Sequence, residues 1–344
     1  MFFYAVFMKI REYLKLARSF NAVLTGVSPV MGAVAMQQYN IAVLFVLFLI
    51  GFLGHSFGFV LNDILDFNLD RKSQEISDRP LISGTISLKN AWIFAIGCLA
   101  LAFVIAFALA YPSGNFFPLV LMVVSAVSIV VYNVISKKYP FMDVFVGAGI
   151  FFFILYGAVA VSGSLSTVSD LAWIVCVLGT VQVMFMQIVA GGMKDIENDF
   201  LQGARTAAVR MGVRVSNGKL KVSKSFFTVA FVLQIVDIVL VFSPFFLLSR
   251  FIQISVLTYV QFVLLGIISV LMLVLSYRLL TMKKFVRKQA RKYIGSHYMI
   301  NFALVPVMLM TLNPYAILIA FMPALGFVLS NVVLHGTLLQ PKTM

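Results

Sequence analysis

Two short acidic segments carry the residues of this chain that could do chemistry. The first, LNDILDFNLDRKSQEISDRPL at 61–81, starts in a hydrophobic stretch and ends in a basic one. Its amide and acid side chains are Asn62, Asp63, Asp66 and Asp70. On a helix these side chains fall within about a 100° arc, along roughly 12 Å of axis. The second segment supplies Asp195 and Asp199 at i, i+4 spacing. Hard oxygen ligands of this kind suit Mg²⁺, which usually bridges one or two carboxylates to substrate phosphates.

Basic side chains accompany both acidic segments. They are Arg71, Lys72, Arg79, Lys194 and Arg205. Acids alone would bind a metal ion, whereas acids mixed with Lys and Arg suit an anion that arrives with the metal. The two segments therefore predict a site for Mg²⁺ and a diphosphate. Solvated helix ends also combine acids and bases, but two such clusters at the edges of hydrophobic stretches favour a functional site.

The composition shows that these segments must lie beside a membrane. The chain has 344 residues, of which 62% are hydrophobic and only 11% are charged, so it is too apolar for a soluble protein. Several stretches exceed about 18 nearly uncharged residues, the length that spans a bilayer as a helix. These stretches do not alternate between apolar and polar residues as β-barrel strands do. The sequence predicts an all-α polytopic membrane protein with a single transmembrane domain over residues 1–344.

The hydrophobic stretches predict about nine spans. They lie at roughly 20–37, 41–68, 90–110, 116–135, 143–161, 170–193, 225–247, 252–279 and 297–337. The last stretch forms either one long span or two short ones broken near Asn313-Pro314. The longest polar insertions between spans are 69–89 and 194–224, which follow the two acidic segments. Insertions of that length in a compact bundle are often functional lids.

The distribution of Lys and Arg predicts the orientation. Alternate segments, beginning with the N-terminus, hold 24 of the 26 basic residues. By the positive-inside rule these segments face the cytoplasm, and both acidic segments fall on that side. The net charge of +14 thus reflects topology rather than binding to nucleic acid. The basic run KKFVRKQARK at 283–292 is interpreted as an orientation signal and a lipid headgroup anchor.

At this point the sequence resembles a known family. NDILDFNLD followed by RPLISGTIS is similar to the first signature of the UbiA superfamily of intramembrane prenyltransferases, and KDIENDFLQGART is similar to the second. Two weaker matches are Arg18-Ser19-Phe20-Asn21, at the start of the first span, and Tyr132 followed by Lys137-Lys138 after the fourth. The resemblance covers residues 18 to about 215 well, and the later spans by hydropathy alone.

The resemblance implies a bundle of nine helices around a central cavity, capped by two cytoplasmic loops. It also implies Mg²⁺-dependent transfer of an isoprenyl group from an allylic diphosphate donor to a lipophilic acceptor in the bilayer. The implied metal ligands are Asn62, Asp66, Asp70, Asp195 and Asp199, with Asp63 adjacent to them. The implied diphosphate contacts include Arg71, Lys194 and either Lys137 or Lys138, while the ring of Tyr132 could stabilise the allylic cation.

Several assignments stay open at the level of sequence. Arg18 and Asn21 could hold a carboxylate or a phosphate of the acceptor, so an aromatic quinone precursor and a glycerol-phosphate lipid are both expected acceptors. Asp143 is a candidate to take a proton from the acceptor, or an ordinary acid at a helix N-terminus. His55 could contact substrate, although a packed, hydrogen-bonded neutral histidine is favoured, and Asp237 has no assigned role. A polytopic transporter that uses the acidic segments for ion coupling is the alternative function.

Overall fold

A computed structural model describes residues 2–71, 76–201, 203–216, 218–249, 251 and 255–336. Within these residues the chain is almost entirely helical, with one two-stranded sheet. The helices are α1 (Phe2–Leu16), α2 (Ser19–Ala35), α3 (Ile41–Leu65), α4 (Phe67–Asp70), α5 (Leu88–Ala110), α6 (Phe117–Ile135), α7 (Asp143–Ser162), α8 (Asp170–Phe185), α9 (Gly192–Leu201), α10 (Ala207–Arg210), α11 (Lys224–Phe242), α12 (Pro244–Leu247), α13 (Val256–Leu280), α14 (Arg287–Leu309) and α15 (Leu318–His335).

The long helices confirm the all-α polytopic membrane fold. Eight helical segments among the described residues are long and apolar enough to cross a bilayer, judged by length and composition. They are Ile41–Leu65, Leu88–Ser113, Phe117–Ile135, Asp143–Ser162, Asp170–Glu197, Lys224–Leu247, Val256–Leu280 and Pro314–His335. Helix α2 is also apolar but has only 17 residues. The bundle therefore matches the predicted spans closely up to residue 280.

The C-terminal stretch decides between the two predicted alternatives. The chain after residue 297 forms two helices rather than one long span, because α14 ends at Leu309 and a short 3₁₀ turn begins at Pro314, at the predicted break, before α15. Helix α14 also begins at Arg287, inside the run that was interpreted as a loop anchoring lipid headgroups. Hydropathy detects apolar residues only, whereas Arg, Lys, Gln and Ala are all good helix formers. The charged start of α14 was therefore missed as a helix.

Side-chain caps explain where several of these helices begin. Asn40 accepts hydrogen bonds from the backbone N–H groups at the start of α3. Ser87, Ser169 and Ser223 do the same at the starts of α5, α8 and α11. Such caps satisfy N–H groups that have no partner within the helix. The starts of α3, α5, α8 and α11 are thus each set by a capping side chain.

Helix α2 packs against α3, α7, α8 and α15, which places it inside the bundle. Its contact with α7 is close, since a Cβ on Gly157 would lie 1.9 Å from the carbonyl oxygen of Pro29. A Cβ on Gly32 would lie 2.1 Å from the carbonyl oxygen of Ile154. Small residues of this kind let helix backbones approach within a membrane. The close packing fixes α2 against α7, and the ion pair between Arg18 and Asp63 joins the start of α2 to the end of α3.

Both acidic segments lie at one end of the bundle, which we call the acidic end. The first segment spans the last turn of α3 and the short helix α4. The second follows a π-helical stretch, Met186–Gly191, and continues through α9. The insertion at 194–224 was predicted as a loop, but it contains α9, α10 and a hairpin of β1 (Arg214–Ser216) and β2 (Lys219–Lys221).

The β1–β2 hairpin is joined by its backbone to the segment that leads into α14. Lys219 forms an antiparallel bridge with Lys284, and the N–H of Phe285 donates to the carbonyl oxygen of Gly218 at 2.8 Å. Backbone hydrogen bonds fix the path of the chain immediately before Arg287. The hairpin therefore ties the second acidic segment to the start of α14.

Candidate active site

A cavity of about 320 Å³ opens among α2, α3, α6, α7, α8, α9 and α14. Its polar lining comes from the acidic end and includes Arg18, Asn62, Asp66, Lys137, Lys194, Asp195 and Asp199. Its apolar lining lies further along the same helices and includes Met122, Ile150 and Phe153. A smaller cavity of about 110 Å³ shares Thr25, Ile150 and Tyr298 with it. The arrangement suits a ligand with a charged head and an apolar tail.

Asn62 and Asp66 present the first acidic segment to the cavity. The amide nitrogen of Asn62 donates to Asn133 Oδ1 at 3.1 Å, and Asn133 Nδ2 donates to the carbonyl oxygen of Gly58 at 3.1 Å. Because the hydrogen bond to Asn133 uses the amide nitrogen of Asn62, its side-chain oxygen Oδ1 can bind a ligand. Burial raises the pKa of Asp66 to about 6, Lys137 opposes the rise, and the charges of Asp70 and Asp63 add to it. A cation in the cavity would favour the ionised carboxylate.

Asp63 and Asp70 belong to ion pairs beside the cavity instead. Asp63 Oδ1 lies 2.5 Å from Arg18 Nη2 and 3.5 Å from Arg79 Nη1. Asp70 Oδ2 lies 2.6 Å from the same Arg79 nitrogen. Neither acid is among the residues that line the cavity. The structure thus places Arg79, a predicted diphosphate contact, between two carboxylates.

The second acidic segment faces the cavity with both of its aspartates. Asp195 lies between two cations, with Lys194 Nζ 3.3 Å from Oδ2 and Arg287 Nη2 3.2 Å from Oδ1. Asp199 lies 3.6 Å from Lys137 Nζ. Burial raises the pKa of Asp199, and Lys137 opposes that rise. The π-helical stretch just before α9 is a feature often found at functional sites.

Tyr132, Asp143 and the start of α2 complete the lining. The hydroxyl of Tyr132 lies 3.5 Å from Gln187 Oε1, which belongs to the π-helical stretch. Asp143 is in the first turn of α7, so it is both a helix N-terminal acid and a cavity residue. Arg18 lies 5.1 Å from the ring centroid of Phe59. The cavity lining therefore includes Tyr132, Asp143, Arg18 and Asn21, and their predicted roles stay predictions.

Other predicted contacts lie on the surface. Arg71, Lys138 and Arg205 are exposed and are not among the residues lining the cavity. Arg71 stacks over Phe67, with its guanidinium 5.5 Å from the ring centroid. Lys72, which was also predicted to bind the diphosphate, lies outside the described residues. The neighbours Lys137 and Lys138 differ because the turn after α6 directs only Lys137 into the cavity.

Sequence reasoning missed Asn133, Gln187 and Arg287. Asn133 is a lone buried amide in an apolar helix, and its position four residues before Lys137 could have indicated a shared face. Gln187 falls in the same apolar stretch as the second acidic segment, with no spacing signal. Arg287 was one of several cations in a basic run, and only the fold shows which of them reaches Asp195.

His55 and Asp237, whose roles the sequence does not decide, lie in different environments. His55 lines the cavity, accepts or donates a hydrogen bond with Thr25 at 2.8 Å through Nδ1, and stacks on Phe59 with ring centroids 4.2 Å apart. His55 is therefore packed and hydrogen-bonded, and it also lies where it could contact a substrate. Asp237 is buried and hydrogen-bonded to Gln182, outside the lining of the main cavity.

The donor set fits Mg²⁺ that binds together with a phosphorylated ligand. Across the described part of the chain, no three His, Cys, Asp or Glu side chains are grouped closely enough to hold a metal ion by themselves. Mg²⁺ does not need such a group, since it usually takes one or two carboxylates and completes its shell with water and phosphate oxygens. Asn62 with Asp66, and Asp195 with Asp199, provide two sets of this kind on one cavity.

Structural comparison places the fold among known membrane enzymes. A UbiA homologue from Archaeoglobus fulgidus, bound to GPP and Mg²⁺, superposes with a TM-score of 0.63 at 17% identity, over 88% of this chain and 99% of that one. A structure described as digeranylgeranylglyceryl phosphate synthase in membranes gives a TM-score of 0.61 at 21% identity, over 90% of this chain and 99% of that one. At these identities the similarity shows the fold.

Sequence comparison identifies the family. Digeranylgeranylglyceryl phosphate synthase from Thermococcus kodakarensis is 27% identical over 60% of this chain and 70% of its own length. The 4-hydroxybenzoate octaprenyltransferase of Blochmanniella pennsylvanica is 27% identical over 46% of this chain and 51% of its own length. Nothing in these comparisons supports the transporter alternative. The model of the UbiA prenyltransferase family matches residues 21–284, which include both acidic segments and most of the cavity lining, so the chain belongs to the UbiA family and is a prenyltransferase.

Proposed function

We propose that this enzyme transfers an isoprenyl group from an allylic diphosphate to a lipophilic, anionic acceptor in a Mg²⁺-dependent reaction. One observation carries the proposal: both acidic segments, Lys137 and Lys194 meet at the polar end of a cavity whose remaining walls are mostly apolar. A diphosphate head and an isoprenoid chain need these two environments in this order. The basic segments around the acidic end support an active site that faces the cytoplasm.

The metal would be held by Asn62 and Asp66 on one side and by Asp195 and Asp199 on the other. When bound with the donor, Mg²⁺ supplies positive charge that stabilises the diphosphate as a leaving group. Lys137 and Lys194 line the cavity beside these acids and add positive charge at the same place. Preorganised charge of this kind usually stabilises a transition state more than any other single effect does.

The apolar walls hold the chain of the donor and exclude water from the reacting carbon. Ile150, Phe153 and Met186 line the cavity beyond the polar residues. The allylic C–O bond breaks with its electron pair going to the diphosphate, which leaves a carbocation. Tyr132 lines the cavity between the two acidic segments, where its ring can stabilise that cation. Without bulk water, capture by the acceptor competes well with hydrolysis.

The acceptor binds beside the start of α2. Arg18 and Asn21 line the cavity there and suit a phosphate or carboxylate. The acceptor's nucleophilic atom forms a new bond to the allylic carbon and loses a proton, for which Asp143 is the candidate base. The names of the relatives match both anionic acceptor classes, a glycerol-phosphate lipid and an aromatic acid.

The test is product formation by purified protein in lipid nanodiscs. Labelled geranylgeranyl diphosphate is supplied with geranylgeranylglyceryl phosphate or with 4-hydroxybenzoate, in Mg²⁺ and in EDTA. We expect a prenylated product with one of these acceptors in Mg²⁺ and none in EDTA. Folded protein that neither binds the donor nor forms product with either acceptor would overturn the proposal.

The second acidic segment offers a matched pair of variants for this assay. Asp195→Asn removes a carboxylate that faces the cavity and should abolish product formation. Glu197→Gln changes an exposed acid two positions along the same helix and should leave product formation unchanged. Equal activity in both variants would contradict a role for Asp195.

A further inference from the structure

We propose that Arg287, at the start of α14, binds the diphosphate of the isoprenyl donor from the side of Asp195. The inference rests on the proposed function and adds a residue to it. Arg287 lies beyond residues 21–284, the segment that the family model matches, so the family pattern does not assign it a role. The sequence interpretation placed it in a lipid-anchoring run, and the fold brings it to the site instead.

The geometry of α14 directs Arg287 toward the cavity. Ile294 and Tyr298 of the same helix line the cavity. They lie seven and eleven residues after Arg287, which puts all three within about 20° of one helix direction. Arg287 is not itself among the residues lining the cavity, but it lies on the face of α14 that forms part of the wall and contacts Asp195, which does line the cavity. Its Nη2 atom is 3.2 Å from Asp195 Oδ1.

The pairing at Asp195 explains how the guanidinium can reach a diphosphate. Arg287 contacts one carboxylate oxygen, and Lys194 Nζ lies 3.3 Å from the other. Asp195 would hold the metal ion that binds with the diphosphate, and a diphosphate bound in this way would lie close to that carboxylate. A guanidinium already at the carboxylate then lies within reach of a phosphate oxygen. Arginine's planar fork suits this contact better than a lysine ammonium does.

The surroundings of Arg287 hold it in place before a ligand arrives. Phe285 lies two residues before Arg287, and its N–H donates to the carbonyl oxygen of Gly218 in the hairpin. Ala290 and Ile294 are buried in one apolar cluster with Met193 and Ile196 of α9. The helix that carries Arg287 is therefore packed directly on the helix that carries Asp195. Such preorganisation lowers the conformational entropy lost on binding.

Lys288 provides a matched control for this proposal. It is the next residue of α14, carries the same charge and is exposed, whereas Arg287 has a side chain that is only 19% exposed. Removing either charge changes the net charge of the acidic end equally. A difference between the two variants therefore reports contact with the ligand rather than the general electrostatic field.

The experiment measures binding without turnover. Geranyl thiolodiphosphate, a donor analogue that reacts poorly, is titrated into wild type, Arg287→Gln, Arg287→Lys and Lys288→Gln in Mg²⁺, and inorganic diphosphate is used as a competitor. We expect Arg287→Gln to weaken the binding of both ligands by about 10- to 100-fold, the value of a charge-assisted hydrogen bond. Arg287→Lys should lose less, and Lys288→Gln should bind like wild type. Melting temperature checks that each variant is folded.

Each outcome has a defined meaning. Wild-type affinity in folded Arg287→Gln, or an equal loss in Lys288→Gln, would overturn the inference while leaving the proposed function intact. Absence of Mg²⁺-dependent binding in the wild type would instead overturn the proposed function. If Arg287→Gln does not fold, Arg287→Met keeps the aliphatic stem and replaces it, with the same loss of affinity expected for both ligands.

Discussion

The two acidic segments have similar spacing but differ in how their carboxylates are used. In the first segment, Asn62 and Asp66 face the cavity, while Asp63 and Asp70 are paired with arginines beside it. In the second, Asp195 and Asp199 both face the cavity, and each has a cation within 4 Å. The first segment therefore has two residues that face the cavity and two acids in ion pairs beside it, whereas the second presents both of its aspartates to the cavity.

The difference follows from the elements that surround each segment. The end of α3 is packed between the start of α2 and the turn that carries Arg79, so arginines from both sides reach its acids. Helix α9 follows a π-helical stretch and lies against α14, and its acids are met by Lys194, Lys137 and Arg287. Equal spacing along a helix thus does not imply equal function. The predictions below test which acids are ligands and which are structural.

The largest effect is expected at an open acid of the first segment. Asp66→Asn keeps the size of the side chain but removes a charge that faces the cavity, so turnover should fall by at least about three orders of magnitude. The melting temperature should stay close to that of the wild type. Turnover is measured with labelled donor in nanodiscs. Asp78→Asn, a change in an exposed acid of the neighbouring turn, is the control and should keep full activity.

Substituting Asp63, the ion-paired acid of the same segment, should mainly reduce the stability of the protein. Asp63→Asn leaves Arg18 and Arg79 without one carboxylate in a buried environment, which should cost about 3 kcal/mol of unfolding free energy. The measurement is thermal unfolding in detergent, with activity expressed per folded molecule. A variant that melts like the wild type but loses turnover as fully as Asp66→Asn would show that Asp63 is a ligand.

Substitutions of the two adjacent lysines after α6 should differ in their effect on the affinity for the donor. Lys137 lines the cavity and pairs with Asp199, so Lys137→Gln should raise the donor KM by about 10- to 100-fold. Lys138 is exposed, and Lys138→Gln should leave KM unchanged. Steady-state kinetics on the two variants make the comparison at equal net charge. Equal KM values would remove Lys137 from the diphosphate site.

The smallest effects are expected at the exposed arginines near the two segments. Arg71 stacks on Phe67 at the surface, and Arg205 is exposed after α9. Arg71→Gln and Arg205→Gln should each change donor binding by less than about twofold, as is usual for exposed charges. Both variants can be titrated with the thiolodiphosphate probe. A loss comparable to that of Lys137→Gln would mean that these arginines reach the ligand.

Much of the fold could be predicted because it depends on local properties of the chain. Apolar runs of bilayer length predicted the spans from 20–37 to 252–279, and the structure agrees with them to within a few residues. The prediction failed where a helix was charged, at the start of α14, and where an insertion held short elements, in α9, α10 and the hairpin. Mean hydropathy over a window of bilayer length does not detect polar helices outside the membrane core.

The sequence by itself determined the membrane class, the family and the two acidic segments, because run length and motif spacing are local patterns. Only the tertiary structure decided which acids face the cavity and which cations pair with them. Arg18 is 45 residues from Asp63, and Arg287 is 92 residues from Asp195. A carboxylate at the end of a helix pairs with the cations that packing brings to it, and these include residues from helices distant in the chain. Helical spacing places a side chain on a face, whereas the neighbouring helix determines what that face contacts.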